Sequence, residues 1–158
     1  MYWLAQAQKR VSSLPLDYPE PDKNLVATAG DVVSVLSKAE TEALLHEVPG
    51  VYQTEINDVL LTALGQTFMV WTGERALLVD LEGHGREEIV PDVDLTRTVG
   101  WFTAVYPVYL EVTADPGQAL RMVKEQLRAI PAHGIGYGLL RYLAQSLPAT
   151  PTAEVSFN

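Results

Sequence analysis

One short stretch, Leu77 to Glu87, constrains the fold more than any other part of the sequence. It reads LLVDLEGHGRE, in which four apolar residues among the first five precede a carboxylate, and two glycines bracket a histidine. An apolar run of this length, bounded by turn-forming residues, predicts a buried strand that ends near Glu82. A strand end that is partly withdrawn from water suits a glutamate to acid–base catalysis. The same residues also fit a surface strand and turn with solvated side chains.

The composition predicts one folded domain. The chain has 158 residues, of which 47% are hydrophobic and 20% charged, as is typical of a globular protein with one core. Its net charge of −9 and its lack of clustered Lys and Arg argue against binding to nucleic acid or to an anionic membrane surface. The longest nearly apolar stretch, Val99 to Leu110, is shorter than the about 20 residues that span a bilayer. Cysteine is absent, which excludes disulfides and is compatible with the cytoplasmic location that we expect.

Helix and strand patterns are mixed along the chain and predict an α/β (α+β) fold, with helices packed on a mixed sheet. Local signals mark several helix ends: Ser37 and Glu40 form a capping box, Asp115 precedes a proline, and Gly73 follows an apolar helix face. Strands are predicted at residues 32–36, 77–81, 101–112 and 154–157, and helices at 37–48, 54–72, 116–130 and 139–147.

Two single prolines and one proline-rich stretch give further predictions. Pro49, with the glycine that follows it, is expected to end the helix that begins after Ser37. Pro107 interrupts a strand whose two faces are both apolar, so the strand is predicted to be central but to have a bulge or an unpaired edge at that proline. Residues 15–23 contain three prolines and predict an extended linker. The pattern of residues 1–14 is ambiguous.

Residues 131–138, PAHGIGYG, form a second glycine-rich stretch. It lacks the lysine and hydroxyl of a phosphate-binding loop and does not follow a predicted strand, so close approach to a ligand arm or to another helix remains open. The three histidines, His46, His84 and His133, are not neighbours in the sequence, and we expect no metal site. With no cysteine and no G-x-S-x-G turn, the sequence offers no nucleophile for a covalent acyl enzyme.

Five stretches, in this order, resemble the epimerization domains of nonribosomal peptide synthetases, within the condensation-domain superfamily. Two of them, EGHGRE (82–87) and RTVGWFT (97–103), favour the epimerizing branch, because peptide-bond-forming members usually carry other residues at these places. The five are NDVLLTALGQ (57–66), LEGHGRE (81–87), RTVGWFTAVYPV (97–108), PAHGIGYG (131–138) and the terminal FN (157–158).

The resemblance implies a chloramphenicol-acetyltransferase-like fold of two similar halves that meet at a tunnel. Residues 24–158 resemble the second half, preceded by a linker or N-terminal segment at residues 1–23. The implied substrate is an aminoacyl or peptidyl thioester on the phosphopantetheine of a peptidyl carrier protein domain, with no cofactor bound directly. Adjacent synthetase modules and the N-terminal half of the same domain are the other implied partners.

The resemblance also implies roles for individual residues. Glu82 matches the family's catalytic glutamate, and Asn158 matches the asparagine of its FNYLG motif, which stops here after two residues. Other matched residues fall in the region of the substrate and the pantetheine arm: His84, Trp101, Gly134, Gly136 and Tyr137.

The family's HHxxxDG motif, which supplies a second acid–base residue, has no counterpart, because the sequence has no His-His pair. We therefore expect an incomplete epimerization domain that is inactive alone. The alternatives are the C-terminal half of a peptide-bond-forming condensation domain and a non-catalytic carrier-docking module.

Overall fold

A mixed β-sheet forms the centre of the protein. The computed structural model describes residues 2–18, 25–89, 91–148 and 151–158. Within these ranges the sheet has three strands in the order β2–β1–β3, with β1 antiparallel to β2 and parallel to β3. The strands are β1 (Ala76–Gly83), β2 (Ala104–Glu111) and β3 (Val155–Phe157). The strand predicted from the apolar run before Glu82 is thus confirmed, as is the short strand near the last residue.

Two long helices cover one face of this sheet. They are α4 (Ile56–Thr72) and α5 (Pro116–Arg128), which pack against each other and on β1 and β2. Successive side chains of a strand point to opposite faces, so every second residue of β1 meets these helices. The core comprises Leu61, Leu77, Val79, Leu81, Val108, Leu110, Ala119 and Val123, together with further apolar side chains around them.

The ends of both long helices follow the local signals in the sequence. The Asp115 carboxylate accepts a hydrogen bond of 2.7 Å from the Gln118 backbone N–H at the start of α5. At the start of α4, the Asp58 carboxylate accepts from the Glu55 N–H at 2.8 Å. Gly73 ends α4 with a positive φ of 78°, and its N–H donates to the Met69 carbonyl.

The helix after Ser37 begins as predicted but does not end as predicted. Ser37 and Glu40 form the capping box at the start of α2 (Lys38–Glu42). The chain then continues through a π-helical turn (Ala43–Glu47) into α3 (Val48–Tyr52). The expectation that Pro49 ends the helix was wrong, because this proline lies in the first turn of α3, where a backbone N–H is not needed.

Three other predictions differ from the structure. Residues 31–36 form no strand and are exposed. β2 starts at Ala104 rather than Trp101 and is an edge strand among the described residues rather than a central one, which is where a strand tolerates Pro107. The predicted helix at residues 139–147 is the short α6 (Gly136–Gly138) followed by a π-helical turn (Leu139–Leu143).

The first residues of the chain pack on the sheet. The ambiguous pattern there corresponds to α1 (Tyr2–Ala7), whose Trp3 side chain is only 6% exposed and belongs to the core. The Lys9 ammonium lies 4.3 Å from the centre of the Tyr109 ring, on the face of the sheet opposite to α4 and α5. Residues 19–23 of the predicted linker lie outside the described residues. No helix in the described part of the chain is long and apolar enough to span a membrane.

Candidate functional site

The predicted catalytic residues lie at one end of the sheet. Leu81 and Phe157 are register partners across the parallel pair β1 and β3, so Glu82 and Asn158 each stand one residue beyond that pair. Neighbouring strands are about 5 Å apart, which brings the two residues side by side. Both residues are exposed and line the same open cleft of about 300 Å³. The structure therefore brings together the two residues for which the resemblance implies a catalytic role.

The other walls of the cleft combine acidic, basic and apolar side chains. The start of α4 contributes a polar cluster, and the end of α5 with the residues after it contributes apolar side chains and a guanidinium. The Arg128 guanidinium donates to the Gln53 carbonyl at 2.9 Å, which ties the end of α5 to the segment before α4. The residues that line the cleft besides those at the strand ends include Glu55, Asn57, Asp58, His84, Glu87, Tyr106, Leu127, Arg128, Ile130 and His133.

The loop after Glu82 is held in one conformation. Gly85 has a φ of +67°, and a Cβ atom at this position would collide with the Phe102 carbonyl oxygen. The Arg86 guanidinium donates to the Leu95 and Thr98 carbonyls at 2.7 and 3.0 Å and lies 4.4 Å from the centre of the Phe102 ring. These contacts fix the strand end that presents Glu82.

The glycine-rich stretch forms the neighbouring wall. Gly134 has a φ of +84° and lies so close to the Tyr106 ring that a Cβ atom would collide with it. His133, just before it, lines the cleft. Burial, and then the negative charge of Glu87, raise the pKa of the Tyr106 phenol. The stretch thus packs closely on strand β2, whereas the sequence had left open close approach to a ligand arm or to another helix.

The remaining predicted substrate-region residues are dispersed. Gly136 and Tyr137 lie in α6, and the Tyr137 ring is buried 5.0 Å from the Trp3 ring, centre to centre. Tyr137 lines a second cavity of about 560 Å³, on the side of the sheet to which Asp80 points. Trp101 is 91% exposed and lines neither cavity. His84 is the one residue of this predicted group that lines the cleft with Glu82.

Sequence reasoning did not identify Glu87, Tyr106 or Asp80 as site residues. No feature of the sequence distinguished Glu87 beyond its place in the motif. Strand alternation put Tyr106 on the same face as Val108 and Leu110, but only the structure shows that Leu81 is its register partner. Asp80 lies two residues before Glu82 in β1 and lines the second cavity, and burial raises the pKa of its carboxyl. In the described ranges, no group of three His, Cys, Asp or Glu side chains is arranged to hold a metal ion.

Comparison with known proteins shows the family. The family model of the condensation domain matches residues 1–156. The chain belongs to the condensation-domain family. A linear gramicidin synthase from Brevibacillus parabrevis is 52% identical to this condensation-family chain over 163 residues, which is 99% of the chain and 2% of that relative. Chondramide synthase cmdD of Chondromyces crocatus is 52% identical over 154 residues, covering 94% of the chain and 4% of the relative.

Solved structures of the family confirm the predicted fold class. The epimerization domain from the third module of tyrocidine synthetase B has a TM-score of 0.90 and 38% identity, covering 99% of this chain and 36% of that one. The first condensation domain of the calcium-dependent antibiotic synthetase shares the fold at 18% identity, with a TM-score of 0.55 over 74% of this chain and 26% of its own. The condensation-family chain thus has a mixed α/β, chloramphenicol-acetyltransferase-like architecture and spans only part of each of these relatives.

Proposed function

We propose that this chain forms one wall of the catalytic site of a nonribosomal peptide synthetase epimerization domain. The substrate is an aminoacyl or peptidyl thioester carried on the phosphopantetheine of a peptidyl carrier protein domain. The position of Glu82 beside Asn158 in one cleft carries the proposal, since a base and a neutral hydrogen-bond donor are what removal of a Cα proton requires. The 38% identity to an epimerization domain, against 18% to a condensation domain, favours epimerization.

Glu82 acts as the base that removes the Cα proton. The electron pair left on Cα delocalises into the thioester carbonyl and forms an enolate, whose oxygen needs a hydrogen-bond donor. The Asn158 side-chain amide can supply an N–H to that oxygen without carrying a charge. Return of a proton to the opposite face of Cα inverts the configuration.

Inversion needs a second acid–base group on the far side of the substrate. His84 is not assigned this role, since it belongs to the same loop as Glu82 and its Nδ1 already accepts the Arg86 N–H at 2.9 Å. We assign the role to the HHxxxDG segment of an N-terminal half that closes the open side of the cleft. The chain alone is then inactive, and its partners are that half, the carrier domain and the adjacent synthetase modules.

The proposal is tested in a chimera in which residues 1–158 replace the matching 36% of the tyrocidine synthetase B epimerization domain. The chimera is mixed with an aminoacyl-loaded carrier domain in D₂O. We expect deuterium at Cα and a mixture of D- and L-products, and neither with the isolated chain. Deuterium exchange by the isolated chain would refute the need for a second half.

The same assay separates the alternatives. A condensation domain would form an amide bond with an added acceptor aminoacyl carrier and would not exchange the Cα proton. A docking module would bind the carrier domain with neither reaction, and Glu82→Gln would leave that binding unchanged. Either result, in a folded chimera, contradicts epimerization.

A further inference from the structure

Glu87 occupies an unusual place between two loops of the cleft. Its side chain is only 21% exposed, although it belongs to a loop with many solvated residues. One carboxylate oxygen lies 3.3 Å from His84 Nε2, and the other lies 3.9 Å from His133 Nε2. The carboxylate therefore faces an imidazole from the loop after Glu82 and an imidazole from the glycine-rich stretch.

The backbone of the first loop determines which nitrogen of His84 carries a proton. The Arg86 backbone N–H donates to His84 Nδ1 at 2.9 Å, so this nitrogen must be unprotonated. The neutral ring then has its proton on Nε2, the nitrogen that faces Glu87. A carboxylate accepts this N–H, and its second oxygen remains available to the other imidazole.

The second loop needs an external contact to keep its shape. Ala132 and His133 both have positive φ values, 45° and 47°, a region that L-residues with side chains rarely occupy. Such strain persists where surrounding contacts determine the conformation, and it concentrates at functional sites. The His133 carbonyl oxygen would lie 3.8 Å from a Cβ atom on Gly83, the residue after Glu82. A change in this turn would thus reach the strand end that presents Glu82.

We propose that Glu87 is a positioning residue, whose carboxylate bridges His84 and His133 and thereby fixes the strained turn against the strand end that carries Glu82. It does not touch the substrate and acts through the two imidazoles. Glu88, the next residue, is exposed and makes no hydrogen bond or ion pair among the described residues, so it is the matched control. The role in catalysis depends on the proposed function, whereas the bridge itself can be measured without turnover.

The bridge is tested in the 158-residue chain by NMR of ¹⁵N-labelled imidazoles at a pH where histidine is neutral. We expect His84 to show one tautomer, with the proton on Nε2, and the Nε2 signals of both His84 and His133 to respond to Glu87→Ala. Glu87→Gln keeps the size of the side chain but offers one acceptor oxygen, so we expect it to retain one imidazole contact and lose the other. Glu88→Ala should move neither signal.

Each outcome decides the proposal. If Glu87→Gln folds and leaves both imidazole signals unchanged, or if Glu88→Ala moves them as far, the bridge does not exist. In the chimera, Glu87→Gln should lower kcat for Cα exchange about tenfold with little change in KM, because misplacement of the base affects the chemical step. An intact NMR signature in a chimera that exchanges no proton would overturn the function and leave the bridge standing. Cα exchange by the parent chimera, together with imidazole signals that do not respond to Glu87→Gln, would support the proposed function and overturn the bridge.

Discussion

Glu82 and Asn158 stand side by side because the strands that carry them are parallel neighbours in register. The last paired residues, Leu81 and Phe157, pack at the core, and Glu82 and Asn158 come directly after this pair, where the sheet ends and the cleft opens. The acid and the amide are therefore placed by backbone pairing rather than by a direct contact between their side chains. This explains how residues 76 positions apart in the sequence come to share one cleft.

The loop after Glu82 should depend on Gly85. Glycine permits its φ of +67°, and any Cβ atom would meet the Phe102 carbonyl. We expect Gly85→Ala to lower the free energy of unfolding by about 2 kcal/mol or more, measured by urea denaturation. Gly136→Ala is the control, since nothing lies within 4 Å of a Cβ atom there and its φ is not positive. An equal effect of both substitutions would contradict this view of the loop.

The core should depend on Leu61, which is 1% exposed and lies in α4 against the sheet. Leu61→Ala removes buried methyl groups and leaves a cavity, so we expect a loss of about 2–5 kcal/mol in the free energy of unfolding. Val70→Ala, in the same helix but 83% exposed, should change it by no more than about 0.5 kcal/mol. Thermal and urea denaturation of the two variants make the comparison.

The dependence of stability on pH should reveal Asp80. Burial raises the pKa of its carboxyl in the folded state, so the fold favours the protonated form. Below about pH 4 the carboxyl is protonated in both the folded and the unfolded protein, so it does not lower the free energy of unfolding. The free energy of unfolding falls as the pH rises through the raised pKa. We therefore expect Asp80→Asn to be more stable than the parent chain at neutral pH, with a difference that disappears in acid.

Asp94 provides a control of opposite sign. Its carboxylate accepts a hydrogen bond of 2.8 Å from the Thr96 N–H, which lowers its pKa in the folded state. That contact stabilises the fold above the ordinary pKa of an aspartate and is lost as the pH falls through the lowered value. Asp94→Asn should therefore be less stable than the parent chain at neutral pH. If both variants shift stability in the same direction, the environments assigned to these two carboxylates are wrong.

The parts of the fold that the sequence predicted depend on neighbouring residues. Three helix ends each depend on only a few consecutive residues. They are the start of α2 at Ser37 and Glu40, the start of α5 at Asp115 and the end of α4 at Gly73. The strand before Glu82 needed only an apolar run with turn formers beside it. In these places local preference and tertiary packing agree.

The parts that the sequence did not predict depend on distant contacts. Residues 32–36 are mostly apolar and alternate weakly, which predicted a strand, but a strand requires a partner, and this segment pairs with none of the described residues. Tyr137 was expected near the substrate, yet its ring packs on Trp3, more than 130 positions earlier in the chain. The contact of Glu87 with His133 likewise joins two loops whose proximity no local pattern reveals. Sequence patterns drew attention to Glu82 as a candidate but not to the side chains that contact its loop.

Asn158 should matter more for catalysis than an ordinary exposed polar residue. If its amide donates to the enolate oxygen, Asn158→Ala in the chimera should reduce kcat for Cα exchange about 100-fold or more, the usual cost of one such donor. Binding of the loaded carrier domain should stay nearly unchanged, since the enolate forms only during the reaction. A variant with weaker carrier binding and unchanged kcat would show that Asn158 serves recognition instead.

The most direct measurement of the central claim is deuterium exchange at the Cα of a carrier-bound aminoacyl thioester, compared between Glu82→Gln and Glu88→Gln chimeras. Both substitutions remove one negative charge from the same segment, but only Glu82 lies in the cleft beside Asn158. We predict that Glu82→Gln lowers the exchange rate at least about 100-fold while Glu88→Gln leaves it unchanged. Exchange that persists at the parent rate in a folded Glu82→Gln chimera would contradict the account.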